Sequence, residues 1–236
     1  MIFFDIDGTL IDHAAASALA SLSFYDQFAG RIPFARDGFP EIWDAIVDRH
    51  FNRYCRAEIF IWEQRRARMR EPFGDDSLPD AECDARYRVY IREYELLTGP
   101  YGDAAACLQA LNGIPLGIIS NGARDQQAGK LERAGLLPYF SVLVFSEDVG
   151  IGKPAPQIFA EACRRAGADP AECIHVGDDL DADVAGGGAA GLQPVWLDRR
   201  GRASSSVSAP RIKNLQELVF AVRDIAKGTN PCLVRN

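Results

Sequence analysis

The chain has 236 residues, 47% of them hydrophobic and 25% charged, which supplies enough apolar material for a buried core and excludes a disordered tail or a fibre. Lys and Arg number 26 against 33 Asp and Glu, a formal net charge of −7. That balance argues against sequence-independent nucleic-acid binding and against an anionic membrane surface, both of which need clustered cations.

The first element in chain order is the apolar run 1–4, a predicted strand that leads directly into Asp5-Ile6-Asp7-Gly8-Thr9. No positively charged leader or cleavable signal stands ahead of it, and the expectation is a cytoplasmic protein. Residues 14–98 carry no parallel-strand signal. Amphipathic spacing predicts helices over 14–29 and 41–70, a loop rich in Pro, Gly and Asp over 72–80, and a further helix over 81–97. Gly99-Pro100 and Gly102 return the chain to a different pattern.

From there, apolar runs at 115–119, 141–145, 173–176 and 194–197 have the length and continuous apolarity of strands buried on both faces. Between them lie predicted helices at 103–112, 125–134, 156–166 and 181–190, and a last helix at 215–227 follows the Ser-rich stretch 203–208. Strands alternating with helices predict an α/β fold, a Rossmann-like, doubly wound parallel sheet with right-handed crossovers. The core takes residues 1–13 and 99–236, and 14–98 form a helical insert. The longest apolar runs fall far short of the roughly 20 residues that span a bilayer. Cys55, Cys83, Cys107, Cys163, Cys173 and Cys232 contain no C-x-x-C pair, and a chain of this length needs no disulfide staples, so they read as reduced thiols. His13, His50 and His175 are too widely spaced to suggest a zinc site.

Four polar segments stand at strand ends: Asp5-x-Asp7-Gly8-Thr9, Ser120-Asn121-Gly122, Gly152-Lys153-Pro154, and Gly177-Asp178-Asp179-Leu180-Asp181-Ala182-Asp183. In an open parallel sheet the carboxyl ends of neighbouring strands face one crevice, so these distant segments can meet. Through these four motifs, in this order, residues 1–13 and 99–198 resemble the haloacid dehalogenase superfamily, a group dominated by magnesium-dependent phosphatases. The resemblance implies that the helical insert after the first motif is a cap of the family's first type. It further implies that Asp183 occupies the place of a second acid that often holds a metal-bound water.

The chemistry expected at such a mouth follows from phosphate itself. Its negative oxygens repel an anionic nucleophile, so a divalent cation and fixed positive charge are needed. Asp5 is placed to attack phosphorus and form an aspartyl-phosphate, and Asp7 to protonate the leaving oxygen and later activate water. An oxygen-only site suits Mg²⁺, with the carboxylates of Asp5 and Asp178 and the Asp7 carbonyl as ligands. Ser120 and Asn121, ahead of a helix, are expected to hold phosphate oxygens, and Lys153 to supply the cation that reaches both Asp5 and phosphate. His175 reads as a packed core residue, Trp43 and Trp62 as core of the insert, and Arg49, Arg53, Arg56, Arg65, Arg66, Arg68 and Arg70 as a solvated face.

The expectation is a Mg²⁺-dependent phosphatase of small phosphorylated metabolites. A phosphomutase of the same superfamily is an alternative; a 2-haloacid dehalogenase is disfavoured because halide leaves without a proton and would not need Asp7. The sequence carries no signal for the substrate's identity or for the oligomeric state.

Overall fold

Ile2, Phe3 and Phe4 of β1 (Ile2–Phe4) are all buried, the signature of a strand covered on both faces. The computed structural model describes residues 1–201 and 209–226; the Ser-rich stretch 203–208, Cys232 and the expected helix end at 227 lie outside them. The chain divides into two compact units, Met1–Ile11 with Pro100–Asn236, and Asp12–Gly99.

In the first unit β1 is central to a six-stranded sheet of order β3-β2-β1-β4-β5-β6. It pairs in parallel with β2 (Leu116–Ser120) on one side, Ile2 opposite Leu116, and with β4 (Ile174–Gly177) on the other, Ile2 opposite Ile174. β3 (Val142–Phe145), β5 (Gln193–Leu197) and the two-residue β6 (Arg211–Ile212) extend it, all parallel. One face packs Ile2, Phe4, Ile118 and Val176 against α5 (Ala104–Ala110), α6 (Arg124–Arg133) and α10 (Leu215–Ala226), through Leu108, Leu131 and Leu218. The other packs Phe3, Ile119 and Val144 against Ile158, Phe159 and Ala162 of α8 (Pro156–Ala166). The strand order reverses between β1 and β4, the place where such sheets open a ligand crevice at their carboxyl ends.

The second unit is four helices, α1 (His13–Phe28), α2 (Phe39–Cys55), α3 (Ile61–Arg70) and α4 (Asp80–Leu97), around Phe24, Phe39, Trp43, Met69 and Tyr90. The single helix expected over 41–70 is two. It breaks at Ala57, whose φ of 59° is left-handed, and α3 restarts where the Glu63 carboxylate accepts from the Phe60 N–H at 2.7 Å. Trp62 is 48% exposed and stacks on Phe60 rather than joining this core. Arg66 and Arg70 pair with Asp80 and Asp84 as a solvated face would, but Arg68 is buried and lies over the Trp43 and Tyr90 rings. Among the described residues no helix is long and apolar enough to cross a membrane.

Two further departures bear on the crevice. The short α7 (Ser146–Val149) follows β3, where no helix was expected. The helix expected over 181–190 is a π-helical turn, Leu180–Ala185, running into α9 (Gly186–Ala189). The N–H groups of Asp183 and Val184 both bond the Asp179 carbonyl, at 3.0 and 3.1 Å, and Asp183 lies in that widened turn.

Candidate active site

Asp5 is the first residue beyond β1, and its N–H bonds the Val176 carbonyl of β4 at 2.9 Å, so the sheet ladder itself fixes where this carboxylate begins. The loop then closes on itself, with the Leu10 and Ile11 N–H groups both 2.9 Å from the Ile6 carbonyl and the Gly8 N–H 2.9 Å from that of Ile11. Gly8, at φ +82°, adopts a backbone that only glycine takes freely, and a Cβ there would lie 2.5–2.7 Å from the Asp178 carboxylate. The glycine therefore admits the fourth motif to the first.

Lys153 sits 2.6 Å from Asp5 Oδ1 and 2.6 Å from Asp183 Oδ1, with its side chain almost wholly buried. Its backbone is held by Asn121, whose Oδ1 accepts from the Lys153 N–H at 2.7 Å and whose Nδ2 donates to the Lys153 carbonyl at 3.1 Å. The Asn121 side chain, expected on phosphate, is thus committed to presenting the lysine. Behind the cis Lys153–Pro154 bond, Gly186 leaves no room for a Cβ, which would meet Pro154 Cα at 2.8 Å.

Carboxylate oxygens of Asp5, Asp178 and Asp183 all lie within 4.8 Å of one another. Burial pushes the Asp5 carboxyl up to about 8; Lys153 opposes this, while Asp183, Asp7 and Asp178 add to it. Asp183 is driven the other way, well below the carboxylate range: burial would raise it, but Lys153 and His175 outweigh burial. Lys153 is held above its ordinary value by Asp183 and Asp5 against its own burial. Lys153 thus bridges two of these three acids. The cluster's donors are hard oxygens only, which fits a Mg²⁺ ion held by Asp5, Asp178 and Asp183.

His175, at the middle of β4, packs on Phe159 as a core residue would, yet its Nε2 donates to Asp183 Oδ1 at 2.9 Å. Asp183 Oδ2 also accepts from the Asp179 N–H at 3.1 Å. Asp179 caps the π-helical turn, its Oδ1 accepting from Asp181 and Ala182 N–H, and Asp181 is exposed. His13 begins α1 in the other unit, with Nδ1 3.1 Å from the Tyr94 hydroxyl.

Asp7 has two partners that sequence reasoning did not find. Lys130 Nζ lies 2.7 Å from each Asp7 oxygen, and Gln127 Nε2 donates to Asp7 Oδ2 at 3.0 Å. The same amide reaches Ser120 Oγ at 3.1 Å and the Asn121 carbonyl at 2.6 Å. The available signal was their position three residues apart, in the first turns of the helix that follows Ser120-Asn121-Gly122. Of the cysteines, Cys55, Cys83, Cys107, Cys163 and Cys173 are free and buried. Burial pushes Cys107 and Cys163 up to about 12, which leaves them poor nucleophiles.

The family model described as haloacid dehalogenase-like hydrolase matches residues 1–191. Glyceraldehyde 3-phosphate phosphatase of Methanopyrus kandleri is 38% identical over 136 residues, 54% of this chain and 58% of that one, so the match spans little more than half of that relative's length. Pyrimidine 5'-nucleotidase YjjG of Escherichia coli is 40% identical over 221 residues, 92% of this chain and 95% of its own. Among solved structures, the HAD-hydrolase YfnB of Bacillus subtilis, bound to magnesium, superposes with a TM-score of 0.79 at 24% identity, covering 94% of this chain and 97% of that one. A 2-haloacid dehalogenase of Pseudomonas syringae gives 0.68 at 30% identity, covering 94% and 98%. With the parallel sheet and all four motif segments at its carboxyl edge, the chain belongs to the haloacid dehalogenase-like hydrolases.

Proposed function

We propose that the protein is a Mg²⁺-dependent phosphatase of small phosphorylated metabolites, working through an aspartyl-phosphate on Asp5. The observation that carries this reading is Lys153, 2.6 Å from both Asp5 and Asp183, whose carboxylates cluster with that of Asp178 as oxygen donors only. Because Lys153 engages Asp5 Oδ1, Oδ2 is the oxygen left to attack phosphorus. As that O–P bond forms the ester P–O bond breaks, and the leaving oxygen takes the proton of the Asp7 carboxyl. Water then attacks the same phosphorus, gives its proton to Asp7, and the Asp5–phosphorus bond breaks to release phosphate. Ser120 Oγ and the N–H groups opening α6 hold phosphoryl oxygens. Mg²⁺ held by Asp5, Asp178 and Asp183, with the Asp7 carbonyl, supplies neutralisation of those oxygens.

Every residue in these roles lies in 1–11 or 100–236, which supports assigning the chemistry to that unit. The 12–99 unit is then the family's cap, with substrate choice as its task. The phosphatase names of relatives, one of them a pyrimidine nucleotidase matched along almost its whole length, support the ester class. The five free buried cysteines support a cytoplasmic setting.

The test is turnover across pyrimidine and purine nucleoside monophosphates, sugar phosphates, a generic aryl phosphate and 2-haloacids, with Mg²⁺, with Ca²⁺ and with chelator. Phosphate release that needs Mg²⁺ and is poorly supported by Ca²⁺, whose looser coordination misplaces the nucleophile, is the expected result. Full activity in chelator would overturn the metal assignment. Dehalogenation of 2-haloacids without phosphate release would overturn the ester class, and return of the phosphoryl group to another position on a sugar would make the enzyme a mutase.

A further inference from the structure

Asp7 is held from one helix face. Lys130 Nζ lies 2.7 Å from both of its oxygens, and Gln127 Nε2 donates to Oδ2 at 3.0 Å. Residues 127 and 130 are three apart on α6 and therefore on the same side of it. Both are buried, at 3% and 4% exposure, so neither is a surface group that happens to reach in. Lys130 thus holds both oxygens toward α6, and Gln127 adds a third bond to Oδ2 alone.

The same Gln127 amide also bonds Ser120 Oγ at 3.1 Å and the Asn121 carbonyl at 2.6 Å. One side chain thereby ties the proposed acid/base group to the loop proposed to hold phosphate. Gly122, at φ +129°, leaves the room for it: a Cβ there would lie 3.1 Å from Gln127 Cγ and Nε2. Holding α6 on the sheet does not need this arrangement. Leu131 already packs the helix into the core.

We infer that Lys130 and Gln127 are positioning residues for the hydrolysis proposed above, setting the Asp7 carboxyl in register with the phosphate-holding loop so that it meets the leaving oxygen. The inference rests on the phosphatase reading. It assigns both residues a role through Asp7 and no contact with phosphate, substrate or metal.

The test uses the full chain with Lys130→Met and Gln127→Met, each close to isosteric; the second exchanges neutral for neutral and stands in should the first fail to fold. The substrates are an alkyl phosphate, whose leaving oxygen needs a proton, and 2,4-dinitrophenyl phosphate, whose leaving group does not. A displaced acid is expected to cost on the order of 10²-fold in kcat/KM on the alkyl ester. The dinitrophenolate burst should be little changed and should be followed by a slowed steady state, because the second step still needs Asp7. Equal losses on both esters, or none on either, would overturn the inference, since general damage would spoil Asp5 and the phosphate loop alike. A crystal structure of the Lys130→Met protein gives a readout independent of turnover. Asp7 swung away from α6 supports the role, and Asp7 unmoved overturns it. Should the unsubstituted protein form no phosphoenzyme on any ester, the phosphatase reading fails by itself and the crystallographic readout still decides whether these residues position Asp7.

Discussion

Replacing Gly177 by alanine tests how tightly the acidic cluster is built. A Cβ at Gly177 would lie 2.1 Å from Asp183 Cγ and 2.2 Å from its Oδ2, far inside contact distance. Asp183 cannot step aside freely, because its carboxylate accepts from Lys153 at 2.6 Å, His175 at 2.9 Å and the Asp179 N–H at 3.1 Å. Admitting the methyl group means swinging that carboxylate away from its donors. Removing one side of a buried ion pair costs about 3–5 kcal/mol, and since Lys153 keeps Asp5 the loss should fall near the lower end. In a chain of this size each kcal/mol moves Tm by about 2–4 °C, so a fall of about 6–12 °C is expected for about 3 kcal/mol. Circular dichroism melts of Gly177→Ala, Asp183→Ala and the double variant measure it. The clash requires the Asp183 side chain, so in the Asp183→Ala background alanine at 177 should cost little, a coupling of about 2–3 kcal/mol between contacting sites. A Gly177→Ala protein that melts with the unsubstituted one, or costs that simply add, would refute the crowding argument.

Asp5→Asn should abolish the phosphoenzyme seen by mass spectrometry after a chemical quench, whereas Asp7→Asn should slow turnover by about 10²–10⁴ and accumulate the adduct with a good leaving group. An adduct trapped on the Asp5→Asn protein would reverse these roles. At Asp103, burial would raise the carboxyl, but Arg199 donates to both oxygens at 2.9 and 3.0 Å and the Leu215 N–H to one at 2.8 Å, and together they hold it below its ordinary value. Its stabilisation is therefore complete above the ordinary carboxylate range and is lost as pH falls through the lowered value. Urea unfolding from neutral to acid pH should show a shallower acid decline for Asp103→Asn, and an unchanged slope would contradict the assignment.

β1, β2 and β4 were legible because every residue of each is buried, and β3 and β5 because their apolar residues still form unbroken runs. β6 was not, since Arg211 and Ile212 form too short a run to register against the helix that follows. The break between α2 and α3 carries no Pro or Gly; Ala57 takes a left-handed backbone that nothing in its identity announces. The polar segments at strand ends were legible as residue types whose chemistry has few other uses, and Asp5, Lys153, Asp178 and Asp183 do converge. Lys130, Gln127 and His175 were hidden for the opposite reason. Lysine and glutamine in a helix read as solvated, and a histidine inside an apolar strand reads as packing, until the fold turns each toward a carboxylate. Arg68 shows the same failure in the helical unit, where a cation expected in water is buried against aromatic rings.

The central place of β1 sets an order of events for a chain made from its amino end. Ile2 finds its partners at Leu116 and Ile174, so β1 stays unpaired until more than a hundred later residues have been added. Contacts so distant in sequence repay their loop-closure entropy last, whereas α1 to α4 contact one another within a span of fewer than a hundred residues. The helical unit can thus be in place while Ile2, Phe3 and Phe4 are still an uncovered apolar segment with open strand edges, the kind of segment that invites wrong pairing in larger chains. Asp5, one residue further on, completes its surroundings only when β4 arrives to take up the other edge of β1. Maturation of the catalytic centre then waits for the fourth motif, and a chain truncated before Ile174 would carry Asp5 and Lys153 without Asp178 and Asp183.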